Sequence, residues 1–149
     1  DAYNANPDSM RAGIAALGFT AAARPGVRSI AVLGEMGELG QDSVAAHAAL
    51  ADELARYRVT NLVTVGFNPA TEALAASARE RGVETHEVAD AAEAAASVEK
   101  LLASAPSGNE HRGERTHGDV VLVKASHALG LWAVAERLLQ PHNLGSAEK

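Results

Sequence analysis

Three short segments of this chain hold residue types that could do chemistry together. Gly34-Glu35-Met36-Gly37-Glu38-Leu39-Gly40 places a carboxylate among three glycines. Such a loop can present backbone N–H groups and the Glu35 carboxylate to a small ligand. It also suits a plain strand-to-helix connection that needs backbone freedom. It is not the dinucleotide fingerprint G-x-G-x-x-G, and the chain contains no G-x-x-x-x-G-K-S/T. The chain therefore has no phosphate-cradling loop of its own. Lys124-Ala125-Ser126-His127 closes an apolar run with an ammonium. That group either reaches solvent along its aliphatic stem or meets an anionic group of a ligand. An adjacent Ser-His pair is not a nucleophile with its base, and no nucleophile elbow is present, which argues against a hydrolase. The third segment, Asp1-Ala2-Tyr3-Asn4-Ala5-Asn6-Pro7, combines a carboxylate, a phenol and two amides.

Other polar residues read more plainly. His47, four residues after Ser43 on an otherwise apolar face, suits a packed, hydrogen-bonded side chain better than a catalyst. His111 and His117 lie in a polar stretch without converging ligands, so no metal site is expected. Glu72, Glu80, Glu84 and Glu87 read as solvated faces.

The elements that must position these groups alternate. Asn6-Pro7-Asp8-Ser9 starts a helix, with Asn as cap, Pro at the first position and an acid in the first turn. Met10, Ile14 and Leu17 follow at helical spacing. Residues 29–33 form an apolar strand stopped by Gly34, suited to burial on both faces. Asp42 or Ser43 is expected to cap a helix with Val44, His47, Leu50, Ala51, Leu54 and Tyr57 on one broad face. Residues 62–66 form a second strand, and Asn68-Pro69 opens a helix ended by Gly82. Residues 83–88 form a more polar strand, nearer an edge. Asp90 and Glu93 then make a capping-box-like start for a helix with Ala94, Val98, Leu101 and Leu102. Residues 105–118 read as a mobile surface loop. Residues 119–124 are the fourth and most strongly apolar strand. Leu131, Val134, Ala135, Leu138 and Leu139 mark a last helix, with Trp132 off its apolar stripe. Pro141 stops that helix, and 142–149 read as a frayed tail.

This alternation predicts an α/β fold: a Rossmann-like three-layer domain with a mainly parallel sheet and helices on both faces. Ligands of such sheets bind beyond the carboxyl ends of the strands. The Gly34–Gly40 loop, Gly66-Phe67-Asn68 and the Lys124–His127 segment all lie there, and Asp1–Asn6 can join them.

Composition limits the possible functions. With 149 residues, one domain is expected. Aromatic residues make up 3 %, so the core rests on Ala, Val, Leu and Ile. The absence of Cys excludes disulfides, thiolate zinc sites and a Cys nucleophile. A net charge of −6 argues against nucleic-acid and anionic-membrane partners. No apolar run approaches a membrane span and no signal-peptide pattern opens the chain, so a cytoplasmic domain is expected. Asp1 opens the chain inside a motif, which reads as a piece of a longer polypeptide.

Three blocks carry a resemblance. Residues 1–10, residues 32–40 followed by His47, and residues 121–127 resemble, in order, the C-terminal domain of the Mur ligases. The first two blocks are most similar to the member that adds D-Ala-D-Ala. The resemblance spans nearly the whole chain. It implies a three-domain cytoplasmic enzyme of peptidoglycan synthesis, of which residues 1–149 are the third domain. The missing N-terminal domain would hold UDP-MurNAc-tripeptide. The missing central domain would carry the P-loop, the Mg2+ sites and a modified lysine, which Lys124 is not. ATP would phosphorylate the tripeptide carboxylate, and the amine of D-Ala-D-Ala would attack the acyl phosphate.

By that resemblance Asp1, Tyr3, Asn4 and Asn6 are nucleotide-binding, Asp1 through the ribose hydroxyls. Gly34, Glu35, Met36, His47, Lys124, Ser126 and His127 are substrate-binding; it is the chemistry and place of the groups themselves that suit Lys124 to the dipeptide carboxylate and Glu35 to its ammonium. No residue here is catalytic by itself, so the isolated domain is expected to be inactive. The strand-end block departs from the family pattern Lys-Gly-Ser-Arg: Ala125 loses backbone freedom and His127 replaces a permanent cation with a titratable one. The loop around 108–118 is longer than the family's. Two other readings stand beside this one: a domain of a sister Mur or folylpolyglutamate-type ligase, and a stand-alone α/β binding module.

Overall fold

The computed structural model describes residues 5–104, 119–125 and 131–139. Asp1, Tyr3, Asn4, Ser126, His127, the 105–118 segment, the side chain of Trp132 and the 142–149 tail lie outside what it describes.

Helix α1 spans Pro7–Ala22 and β1 spans Ser29–Gly34. A 3-10 turn, Gly40–Asp42, leads into α2, Ser43–Arg56. Then come β2 (Asn61–Val65), α3 (Pro69–Glu80), β3 (Glu84–Val88), α4 (Ala91–Ala103), β4 (Val120–Lys124) and α5 (Trp132–Leu139). The four strands pair in parallel in the order β3-β2-β1-β4.

Helix starts follow their local chemistry. Asn6 caps α1: its Oδ1 accepts the Ser9 N–H at 2.8 Å, and Ser9 Oγ accepts the Asn6 N–H at 3.1 Å. Asn68 and Thr71 repeat this reciprocal box at α3. At α4 Asp90 caps Glu93, while the Glu93 carboxylate accepts from Ala89, one residue before the cap. Each cap satisfies N–H groups that a helix start leaves without partners. The expected cap at α2 differs. Asp42 stands in the cap position but bonds no helix N–H. The 3-10 turn already holds it near helical angles, so its side chain cannot assume capping geometry.

Side chains alternate across the strands and build two cores. On one face Ala31, Leu33 and Leu62 meet Met10, Ile14 and Leu17 of α1, Leu50 and Leu54 of α2, and Leu74 of α3. On the other, Ile30, Val32, Val63 and Val65 meet Ala94, Val98 and Val134. This is the expected three-layer arrangement. All of β1 is buried, as its apolar run requires. The polar β3 lies at one edge, as its composition suggests. The more apolar β4 lies at the other, with residues 120–123 half-buried. Val44 departs from the broad-face reading: at the first turn of α2 it is exposed.

Candidate functional site

The chain reverses its direction of travel at one place in the sheet. It steps outward from β1 to β2 to β3, then returns so that β4 lies on the opposite side of β1. Helices leaving two strands in opposite directions open a crevice at their carboxyl ends, where ligands of such sheets bind. That switch point lies between β1 and β4. Leu33 pairs in register with Lys124, so Gly34-Glu35 and Lys124-Ala125 emerge side by side.

Lys124 is 4 % exposed. On α1, a Cβ placed at Gly13 would stand 3.5 Å from Lys124 Cδ and 3.3 Å from Leu122 Cδ1. The first half of α1 therefore lies along this end of β4, and the lysine stem runs beneath it. Burial holds the Lys124 ammonium below the ordinary lysine range, because low dielectric disfavours the charged form. Asn6 stands at the same end of α1, exposed. Its side-chain Oδ1 accepts the Ser9 N–H in the helix cap.

On the β1 side, Glu35 follows the last strand residue and is half-buried. Its Oε1 lies 3.4 Å from the Asn68 Nδ2 donor. Asn68 is held by α3: its Oδ1 accepts from the Thr71 N–H at 3.0 Å, and Thr71 Oγ1 donates to the Gly66 carbonyl at 2.7 Å. Gly66 has φ +100, a conformation costly for any residue with a Cβ. The turn leaves Phe67 exposed at the carboxyl edge.

Two of the expected substrate-binding residues, Met36 and His47, have buried side chains. Met36 is 1 % exposed and packs in the core with Leu33 and Leu50. His47 is fully buried, as its apolar surroundings suggest. Its Nε2 accepts the Met36 N–H at 2.8 Å, and its Nδ1 lies 2.6 Å from the Ser43 carbonyl oxygen. Both ring nitrogens are engaged, so neither faces the crevice. Asn68 and Phe67 are the converse: their segment is expected at the ligand end of the sheet, but neither side chain is among the expected site residues.

Among the described residues no cluster of three or more His, Asp or Glu could hold a metal ion. None of the described helices is long and apolar enough to cross a membrane.

Comparison with known proteins settles the family. The model of the Mur ligase glutamate ligase domain matches residues 1–127. The chain belongs to the Mur ligase family. It is 42 % identical, over 98 % of its length, to a Mycobacterium tuberculosis UDP-N-acetylmuramoyl-tripeptide–D-alanyl-D-alanine ligase, of which it covers 29 %. A Synechocystis enzyme of the same name is 32 % identical over 93 % of the chain, covering 26 % of that enzyme. Among solved structures, MurF from Acinetobacter baumannii matches 93 % of the chain and 27 % of its own length, with a TM-score of 0.69 and 27 % identity. MurF from Thermotoga maritima, in complex with ADP, matches 91 % of the chain and 26 % of its own length, at a TM-score of 0.61 and 27 % identity. The chain thus spans less than a third of these relatives, and its three-layer Mur ligase domain is the part they share.

Proposed function

We propose that this chain is the amine-substrate domain of an ATP-dependent ligase that joins D-Ala-D-Ala to UDP-MurNAc-tripeptide in the cytoplasm. One observation carries the reading. The switch-point crevice has a carboxylate, Glu35, on one strand end and an ammonium, Lys124, on the next, in a family whose relatives bear that ligase name. A dipeptide zwitterion presents the complementary pair, so opposite charges orient it as well as bind it.

In the reaction, the γ-phosphoryl of ATP passes to the tripeptide carboxylate. The dipeptide amine then attacks the acyl phosphate, forms the amide and expels phosphate. This domain supplies position. Glu35, steadied by Asn68, holds the incoming ammonium until it loses a proton to solvent water and becomes nucleophilic. Lys124 faces the dipeptide carboxylate, and Ser126 and His127 are assigned to the same substrate. Gly34 lets the backbone approach, and Phe67 offers an apolar wall for a methyl group. Met36 and His47 act from behind, in the core. Asp1, Tyr3, Asn4 and Asn6 are assigned to the nucleotide at the N-terminal end of α1. By the family resemblance, Mg2+ and the phosphate cradle are assigned to other parts of the enzyme.

The test is an NMR titration of the 149-residue chain with D-Ala-D-Ala, with L-Ala, D-Glu and diaminopimelate as controls. Shifts confined to D-Ala-D-Ala and centred on residues 34–36, 66–68 and 124–127 are expected. Shifts with a control instead assign the chain to a sister ligase. The chain alone is expected to turn over no ATP; activity in a clean preparation overturns this division of labour.

A further inference from the structure

Beside the crevice His47 is a buried titratable group that the proposed reaction does not use directly. Its partners dictate its chemical form. The Met36 N–H can only donate, so Nε2 must carry a lone pair. The Ser43 carbonyl can only accept, so Nδ1 must carry the hydrogen. The ring is therefore the neutral Nδ1–H tautomer. A second proton, on Nε2, would set two donors against each other.

The Met36 N–H belongs to the planar peptide that begins at Glu35. Fixing that N–H fixes the direction in which the chain leaves Glu35. On its other side, Glu35 follows Gly34, which is locked in the β1 ladder opposite Val65. The Met36 side chain is pinned in the core. Glu35 thus stands between two immobile points, one of them held by an imidazole from α2. Its carboxylate is thereby delivered to Asn68.

We infer that His47 is a positioning residue: as the Nδ1–H tautomer it holds the Met36 amide and so sets where the Glu35 carboxylate stands. This deepens the dipeptide reading above, and its ligand consequence rests on that reading.

Two measurements test the positioning without any ligand. Long-range 1H–15N correlation on the 149-residue chain at mildly alkaline pH is expected to show His47 Nδ1 protonated and Nε2 bare; the opposite tautomer overturns the proposal. Amide exchange at Met36 is expected to speed up at least about tenfold in His47→Leu, the loss of one buried hydrogen bond. In His47→Gln, whose side-chain oxygen can accept the same N–H, much of the protection is expected to return. Equal protection in all three chains overturns the proposal. Where His47→Leu does not fold, the tautomer and the His47→Gln comparison still decide. D-Ala-D-Ala titration of the same chains is expected to rank their affinities in the same order. Affinity unchanged in an unprotected variant overturns the link to Glu35. No binding by the unaltered chain defeats the dipeptide reading, while the tautomer and exchange results judge the positioning on their own.

Discussion

Arg28 and Asp119 stand 91 residues apart in the chain and form a forked ion pair across the amino ends of β1 and β4. Asp119 Oδ2 accepts from Arg28 Nη2 at 2.6 Å and from Nε at 3.1 Å, and Oδ1 accepts the Arg28 backbone N–H at 3.0 Å. The same guanidinium donates to the Leu101 carbonyl near the end of α4. The Asp119 side chain is 3 % exposed. This clamp brings β4 alongside β1, and so places Lys124 beside Glu35 at the opposite end of the sheet.

Removing one partner of a buried pair leaves the other charge without compensation. Asp119→Ala is expected to cost about 3–5 kcal/mol, with urea denaturation as the check. The exposed Arg81–Asp52 pair, by contrast, is worth about 0–1 kcal/mol. Equal losses for Asp119→Ala and Asp52→Ala would show that the clamp is ornamental.

Gly18 lies where α1 crosses the end of α2. A Cβ there would stand 2.6 Å from Tyr57 Cβ and 3.0 Å from the Tyr57 carbonyl oxygen. Helix propensity alone favours Gly→Ala by about 1 kcal/mol. The clash involves backbone and a Cβ, which cannot swing aside, so sterics win. Gly18→Ala is expected to destabilise by about 1–3 kcal/mol and to disturb the Phe19–Tyr57 edge contact, now 5.5 Å between ring centres. A higher melting temperature for the variant would refute this packing account.

Lys124 makes stability depend on alkaline pH. Its folded-state pKa lies below the ordinary lysine value, which the unfolded chain keeps. Between the two, the unfolded state binds more protons, so stability rises with pH. The cost of burying the cation is fully present below the folded value and vanishes above the unfolded one. Unfolding free energies of the unaltered chain relative to Lys124→Met should climb across that window; a flat difference would mean that the ammonium is not desolvated.

Glu35 carries the charge that the proposed ammonium needs. Glu35→Gln keeps the size and the acceptor facing Asn68 but removes the charge. Affinity for D-Ala-D-Ala is expected to fall about 10- to 100-fold, the worth of a charge-assisted hydrogen bond, with stability nearly unchanged. Calorimetry on the enzyme containing this domain reads both. An unaltered Kd would place the ammonium elsewhere.

Much of this protein is determined by local sequence. Asn-Pro starts fix α1 and α3, because capping needs only neighbouring residues. Period-two and period-3.6 apolar patterns fix which residues face the cores, because burial rewards them wherever the neighbours come from. The apolar run at 29–33 signals a strand covered on both faces, and the polar run at 83–88 an edge. The family blocks are likewise legible, being contiguous.

Tertiary structure alone decided the rest. Strand order is a long-range matter, and it put the switch point between β1 and β4, with Glu35 and Lys124 at its lips. It brought Asn68 to Glu35 across 33 residues and left Phe67 in the open. It turned Met36 inward, because a glycine-flanked loop can aim its side chains either way until a core accepts one of them, and it gave the buried His47 the Met36 amide as its partner. Sequence names the groups, but which of them meet depends on contacts between residues far apart in the chain.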